Sequence, residues 1–123
     1  MTLVNPFIAV DHCKDEIEYY RGVLGGEIKI LRRQDDKVLN AELQFESSKI
    51  TFADTLAAKP TIQGDYVKLM LKVDTEEQFT KVYETLSTGG QINVEKYEAP
   101  FNGLLGIITD RNGVGWVLSY YRD

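Results

Sequence analysis

The chain has 123 residues, of which 43% are apolar and 27% charged, and its net charge at pH 7 is −5. This length suits one domain with a real core but hardly two independent domains. The acidic balance argues against a nucleic-acid surface, and no apolar run approaches the roughly 20 residues of a membrane helix. A single cysteine and a start without the basic segment of a signal peptide predict a cytoplasmic protein.

Two segments of the chain repeat one pattern about half a chain length apart. AVDHCKDEIEYYRGVLGGEIKI (residues 9–30) and KVDTEEQFTKVYETLSTGGQINV (residues 72–94) each run from Val-Asp through a helix-like segment to Gly-Gly and an alternating strand. The offset is 63 residues from Val10 to Val73 and 64 from Gly25 to Gly89. We therefore interpret the chain as a tandem duplication.

The helix of each repeat is predicted from its ends and its apolar face. Asp11 and Asp74 are the expected N-caps, because a short carboxylate accepts hydrogen bonds from the first turn, and Glu77 would complete a capping box with Asp74. The glycine pairs at 25–26 and 89–90 are expected to end the helices. The apolar faces consist of Cys13, Ile17, Tyr20 and Leu24 in the first helix and Phe79, Val82, Tyr83 and Leu86 in the second.

Three strand-like runs separated by polar turns follow each helix. The segment DTLAAKPTIQGD contains a proline and a glycine, which indicates a linker. We therefore predict one α+β domain of two tandem βαβββ modules, 1–54 and 65–123, joined by a linker at 55–64. The strands after the helices are predicted at Glu27–Arg33, Val38–Phe45 and Lys49–Ala53, and at Gln91–Tyr97, Leu104–Thr109 and Val114–Tyr121.

The only histidine and the only cysteine are neighbours, His12 and Cys13, between Asp11 and Asp15. Such a cluster suggests a metal site or a reactive thiol. However, Cys13 begins the apolar face that continues at Ile17, which indicates a buried side chain. His12 points about 100° away around the helix and is expected in solvent. We interpret the cluster as the start of a helix.

Three further stretches carry a family resemblance: NPFIAV…EIEYYRGVLGGE, NAELQFESSKITFAD and FNGLLGIITDRNGVGWVLS. Together they resemble the vicinal-oxygen-chelate superfamily, which includes glyoxalase I and the bleomycin-resistance proteins, and within it the PhnB-like group. The last stretch is similar to the family pattern D-P-x-G-x-x-W-x-L, with Arg111 in place of the proline. The resemblance implies that each module forms a half-barrel and that the two modules enclose a cavity.

Metal-dependent members of that superfamily place one ligand on each of four strands. The resemblance carries these positions to Asn5 on the first strand, Thr51 on the fourth, Lys68 on the fifth and Val117 on the eighth. Iron, nickel and zinc need imidazole or carboxylate ligands, whereas valine has no donor and an ammonium repels a cation. We therefore expect neither a metal nor another cofactor.

Strand alternation and the resemblance together indicate which side chains contact a ligand. Glu42 is central on the polar side of the third strand and is expected to hold Lys68. Phe101 lies where PhnB-like proteins often carry tryptophan in a loop over the cavity. Lys72 is expected in solvent and Trp116 in the core. The predicted ligand-binding residues are Asn5, Phe7, Glu42, Thr51, Lys68, Met70, Phe101 and Val117.

Three functions are compatible with these residues. The first is a metal-free protein that binds an unknown small molecule in the cavity, and it is ranked first. The second is a metal-independent enzyme with Glu42 as base and Lys68 as electrostatic stabiliser. The third is a metal-dependent lyase or dioxygenase whose ligands lie at a different register. A homodimer is expected because small half-barrels leave open strand edges, with neither nucleic acid nor membrane as a partner.

Overall fold

The computed structural model describes residues 2–56 and 62–122. The chain divides into two compact units, Met1–Thr61 and Ile62–Asp123. Each unit contains one four-stranded sheet and one helix in the order β-α-β-β-β. The predicted fold class, two tandem βαβββ modules, is therefore confirmed.

The N-terminal unit forms a mixed sheet. Its elements are β1 (Phe7–Val10), α1 (Cys13–Leu24), β2 (Glu27–Gln34), β3 (Lys37–Gln44) and β4 (Lys49–Asp54). The strand order is β1-β4-β3-β2, in which β1 runs parallel to β4 and the other pairs are antiparallel. The helix α1 packs mainly on β3. The core between helix and sheet contains Ile8, Val10, Cys13, Ile17, Tyr20, Ala41, Leu43, Ile50 and Phe52.

The C-terminal unit repeats this arrangement. Its elements are β5 (Leu69–Val73), α2 (Glu76–Ser87), β6 (Gln91–Ala99), β7 (Gly103–Thr109) and β8 (Gly115–Tyr121). The strand order is β5-β8-β7-β6, with β5 parallel to β8. Every strand predicted after a helix is observed, with both ends within two residues of the prediction. The core contains Val73, Phe79, Val82, Tyr83, Leu86, Ile108, Trp116 and Leu118, which confirms the prediction for Trp116.

The N-cap of each helix lies one residue after the aspartate that was predicted to be the cap. The N-cap of α1 is His12, in the left-handed conformation (φ 57°), and the backbone N–H of Cys13 donates to Oδ2 of Asp54 at 2.9 Å. Asp11 instead accepts a hydrogen bond from the Thr55 hydroxyl. The prediction for Asp11 is wrong because a carboxylate from β4, distant in sequence, serves the first turn.

The second helix has a local cap. Thr75 is its N-cap, and the Thr75 side chain accepts a hydrogen bond from the backbone N–H of Gln78 at 3.0 Å. The Gln78 side chain in turn accepts from the backbone N–H of Asp74 at 3.1 Å. Thr75 and Gln78 therefore form a reciprocal cap like a capping box, in which Gln78 bonds the residue before the N-cap, and the predicted pair of Asp74 and Glu77 is wrong by one residue.

A glycine with positive φ follows each helix, as predicted: Gly25 is the C-cap of α1, and Gly89 follows Thr88, the C-cap of α2. Gly25 has φ 78° and Gly89 has φ 77°, a backbone conformation that residues with a Cβ rarely adopt. Each helix has 12 residues. No helix of the described residues is long and apolar enough to cross a membrane.

Candidate ligand-binding site

Each sheet has one face under its helix and an opposite face, which we call its open face. On β1 the buried side chains of Ile8 and Val10 lie under α1, so Phe7 and Ala9 lie on the open face. Phe7 is 65% exposed. A large aromatic side chain at this exposure is available for contact with a ligand.

The open face of the first sheet carries a row of predicted site residues. Phe7 is opposite Thr51 on β4, Thr51 is opposite Glu42 on β3, and Glu42 is opposite Lys29 on β2. Side chains opposite each other in neighbouring strands lie about 4.5–5.5 Å apart at Cβ. The sheet therefore brings three predicted contacts, Phe7, Thr51 and Glu42, into one row.

Glu42 is held on this face by two donors. Gln44 Nε2 donates to Glu42 Oε1 at 3.0 Å, and Lys49 Nζ donates to Glu42 Oε2 at 3.2 Å. The Glu42 side chain is only 12% exposed. The hydrogen bond from Gln44 and then that from Lys49 lower the pKa of Glu42 below its usual value, so the carboxylate is ionised at neutral pH.

Asn5 precedes the first strand by two residues and is exposed. The prediction that Asn5 lies on the strand is therefore wrong. The backbone hydrogen bonds between the N-terminal segment and β4 begin at Pro6. The Pro6 carbonyl oxygen accepts a hydrogen bond from the backbone N–H of Thr51 at 3.1 Å. Proline has no N–H of its own to donate to a neighbouring strand.

The open face of the second sheet carries the corresponding row, and this row is apolar. Met70 on β5 is opposite Val117 on β8, Val117 is opposite Ile107 on β7, and Ile107 is opposite Val94 on β6. Met70 takes the place that Phe7 has in the first sheet, 63 residues earlier. The two corresponding rows therefore differ in chemistry: the row of the first module contains Thr51, Glu42 and Lys29, whereas that of the second is apolar throughout.

Lys68 lies one residue before β5 and not within it, so its predicted place on the fifth strand is wrong. Its stem passes over Gly115, where an added Cβ would lie 2.8 Å from the Lys68 Cγ. Because Gly115 alternates with the buried Trp116, the stem lies on the open face. The ammonium donates to the backbone oxygen of Asp65 at 2.6 Å.

Phe101 lies in the turn between β6 and β7 and stacks on Tyr121 at the end of β8. The ring centroids are 4.3 Å apart and the ring planes differ by 28°. The ammonium of Lys72 lies 4.8 Å from the centroid of the Tyr121 ring. Lys72 is exposed, as predicted, but it is also part of this aromatic cluster.

The residues at the four positions that correspond to metal ligands do not fit a transition metal. Val117 has no donor atom, and the Lys68 ammonium is already a donor to Asp65. Within residues 2–56 and 62–122, no group of three or more His, Cys, Asp or Glu side chains could hold a metal ion. Asn5 and Thr51 offer only neutral oxygens, which suit iron, nickel and zinc poorly.

The His12–Cys13 pair is a helix start, as predicted. His12 is exposed at the N-cap of α1, whereas Cys13 is fully buried in the core. Burial, and then the nearby Asp54 carboxylate, raises the pKa of the Cys13 thiol from 9.0 to about 11. The thiol is therefore protonated at neutral pH, and a protonated thiol is a poor nucleophile.

Cys13 should react with a thiol reagent about 100-fold more slowly in the folded protein than in urea at pH 8, because two units of pKa reduce the thiolate fraction by that factor. Burial of the sulfur should slow the reaction further. Cys13→Ser should lower the free energy of unfolding by about 1 kcal/mol by burying a hydroxyl. Rapid labelling of the native protein would contradict this assignment.

The fold and the open faces define a class of protein: two βαβββ modules whose sheets each leave one face uncovered by a helix. The chain matches the Glyoxalase/Bleomycin resistance protein/Dioxygenase superfamily over residues 2–118, and it belongs to that superfamily. No curated protein matches the chain.

The chain is also similar in fold to several solved structures. Protein PA1353 from Pseudomonas aeruginosa is 22% identical with a TM-score of 0.84, and the match covers 100% of both chains. The PhnB protein from Bacillus cereus is 20% identical with a TM-score of 0.82, covering 97% of this chain and 99% of its own. A glyoxalase-related enzyme from Fulvimarina pelagi is 16% identical with a TM-score of 0.71, covering 98% and 88%. At these identities the likeness concerns the fold.

Sequence reasoning missed the partners of two predicted residues. Gln44 and Lys49, which hold Glu42, lie on the same face as Glu42 by strand alternation, and the short turn between β3 and β4 places them opposite each other. That signal was present in the sequence. Tyr121, the partner of Phe101, could be found only from the pairing of β8 with β7.

Proposed function

We propose that the chain is a metal-free small-molecule-binding protein of the glyoxalase and bleomycin-resistance type, with its ligand held against the open faces of its sheets. The observation that carries the proposal is the setting of Glu42, an ionised carboxylate that is 12% exposed and fixed by Gln44 and Lys49. Ligand sites combine a few fixed polar groups with apolar surroundings, and Phe7 supplies such a surrounding in the same row.

The pKa of Glu42 favours binding over the alternative of an enzyme with Glu42 as general base. A general base works best with a pKa near the working pH, whereas Gln44 and Lys49 lower the pKa of this carboxyl group. Lys68 is also poorly placed as an electrostatic stabiliser, because its ammonium already donates to the Asp65 backbone. A fixed anion with a low pKa is better suited to accept hydrogen bonds from a ligand.

A homodimer in the cytoplasm is part of the same proposal. The strands β1 and β2 are the outer strands of the first sheet, and β5 and β6 are those of the second. Outer strands carry backbone groups that can pair with another chain, and a second copy is the commonest partner. The buried free thiol of Cys13 suits a reducing compartment.

The experiment that tests this proposal is native mass spectrometry of untagged protein purified from cell lysate. We expect two chains, a bound organic compound, and less than one iron, nickel or zinc per chain. Glu42→Gln should reduce retention of that compound about tenfold, because it removes a charge-assisted hydrogen bond worth about 1.5–3 kcal/mol.

Glu46→Gln is the matched control, since it makes the same change in charge at an exposed residue outside the strands. It should retain the compound like the original protein. One metal ion per chain that survives dialysis, or equal retention by the Glu42 and Glu46 variants, would overturn the proposal.

A further inference from the structure

We propose that the aromatic cluster of the C-terminal unit, defined as Lys72, Phe101 and Tyr121, binds the carboxylate and ring of an aromatic acid. The inference rests on the proposed small-molecule function and names the class of ligand. The ammonium of Lys72 would pair with the carboxylate, and the stacked rings of Phe101 and Tyr121 would contact the aromatic body of the ligand.

The two rings form an exposed and ordered platform. Phe101 and Tyr121 stack at 4.3 Å and remain 36% and 41% exposed, so a substantial part of each ring faces solvent. Tyr121 follows Val117 and Ser119 on the open face of β8 by strand alternation. Because the rings hold each other in place, a flat ligand can add to the stack at little cost in side-chain entropy.

The charge of the cluster favours an anion. Two neighbouring cations of this unit have an oxygen partner: Arg122 pairs with Glu98 at 2.6 Å and with Glu76 at 3.7 Å, and Lys68 donates to the backbone of Asp65. The contact that Lys72 makes within the same residues is with the Tyr121 ring at 4.8 Å. An ammonium that lies above a ring, with no carboxylate partner among residues 2–56 and 62–122, is complementary to a carboxylate-bearing ligand.

The surroundings favour an apolar body over a polar one. Met70 precedes Lys72 on the same face of β5 and is 76% exposed. Ser119 is opposite both Lys72 and Leu105 and is only 4% exposed, so it adds little polar surface beside the rings. One cation among apolar and aromatic groups matches an aryl carboxylate and disfavours a sugar or a phosphate.

The test uses 2-naphthoate as the probe and an NMR titration of the full chain as the measurement. Naphthalene-2-methanol has the same rings without the charge, and cyclohexanecarboxylate has the charge without the flat rings. We expect 2-naphthoate to bind about tenfold more tightly than either compound.

Lys72→Met should abolish the preference for 2-naphthoate over the neutral alcohol, whereas Lys72→Arg should keep it because the charge and the ring contact remain. Phe101→Leu should abolish the preference for 2-naphthoate over cyclohexanecarboxylate. Lys81→Met is the control, since Lys81 is an exposed lysine on α2. Unchanged preferences in Lys72→Met, or no binding of 2-naphthoate at about 10 mM, would overturn the inference.

This test can fail separately from the test of the proposed function. Retention of a co-purified compound by the original protein and its loss in Glu42→Gln do not depend on 2-naphthoate. If that result is obtained and 2-naphthoate does not bind, only the aromatic-acid inference is overturned.

Discussion

Replacing Asp110 by alanine is expected to lower the free energy of unfolding of the C-terminal unit by about 3 kcal/mol. Asp110 is 3% exposed, and its carboxylate accepts three N–H groups: Trp116 Nε1 at 2.9 Å and the backbone of Asn112 and Val114 at 2.9 and 3.1 Å. Alanine would leave these donors without an acceptor in and around the core, at about 1–3 kcal/mol for each fully buried group.

Urea unfolding followed by fluorescence measures this effect, because Trp116 is the only tryptophan and lies beside Asp110. Asp110→Asn should lower the free energy of unfolding by less than Asp110→Ala does, because the amide oxygen of asparagine can still accept two hydrogen bonds. Asp65→Ala changes an exposed aspartate of the same unit and should alter stability by less than about 0.5 kcal/mol. Equal effects of Asp110→Ala and Asp65→Ala would contradict the role assigned to Asp110.

Gly103→Ala is expected to lower the free energy of unfolding by a similar amount, about 3 kcal/mol. It should also weaken the binding of 2-naphthoate by the aromatic cluster. An added Cβ at Gly103 would lie 1.9 Å from the carbonyl oxygen of Tyr120 and 2.7 Å from the Phe101 ring. The Tyr120 oxygen belongs to the backbone of β8, so relief requires β7 and β8 to separate. Such a movement would break the pairing of Gly103 with Tyr121 and displace Phe101.

Gly64→Ala provides the matched control for this substitution. An added Cβ at Gly64 meets nothing within 4 Å, so the same change in chain chemistry should be nearly neutral. The two variants can be compared by urea unfolding and by titration with 2-naphthoate. If Gly103→Ala folds with the stability of Gly64→Ala, the close approach of β7 and β8 at this position is wrong.

The fold was predictable because its signals are local and are repeated. The glycines that follow the helices and the alternation of the strands can each be recognised within a short window of sequence, and the 63-residue offset shows the same pattern twice. The exceptions involve distant partners. Asp54 caps α1 from 41 residues away, which no inspection of the segment around Asp11 could reveal. The local cap at Thr75 was missed by one residue because Asp74 has an equally good capping side chain.

The site was predictable only in part, because strand alternation gives the face of a residue but not its partners. It placed Phe7, Glu42 and Thr51 on one face, and the observed register puts them in one row. It could not give the two hydrogen bonds that fix Glu42, which depend on side-chain conformations. The predicted pairing of Glu42 with Lys68 stays a prediction, and each of the two residues has a partner within its own unit.

The difference between the two helix caps has a consequence for how the modules fold. The first turn of α2 is capped by Thr75 and Gln78, which are three residues apart, so this cap can form without any contact distant in sequence. The first turn of α1 has no side-chain cap of its own, and Asp54 reaches Cys13 only after the intervening 41-residue loop has closed. Closing that loop requires conformational entropy to be lost before the contact is gained. We therefore expect the helix of the first module to depend more on long-range contacts for its formation than the helix of the second.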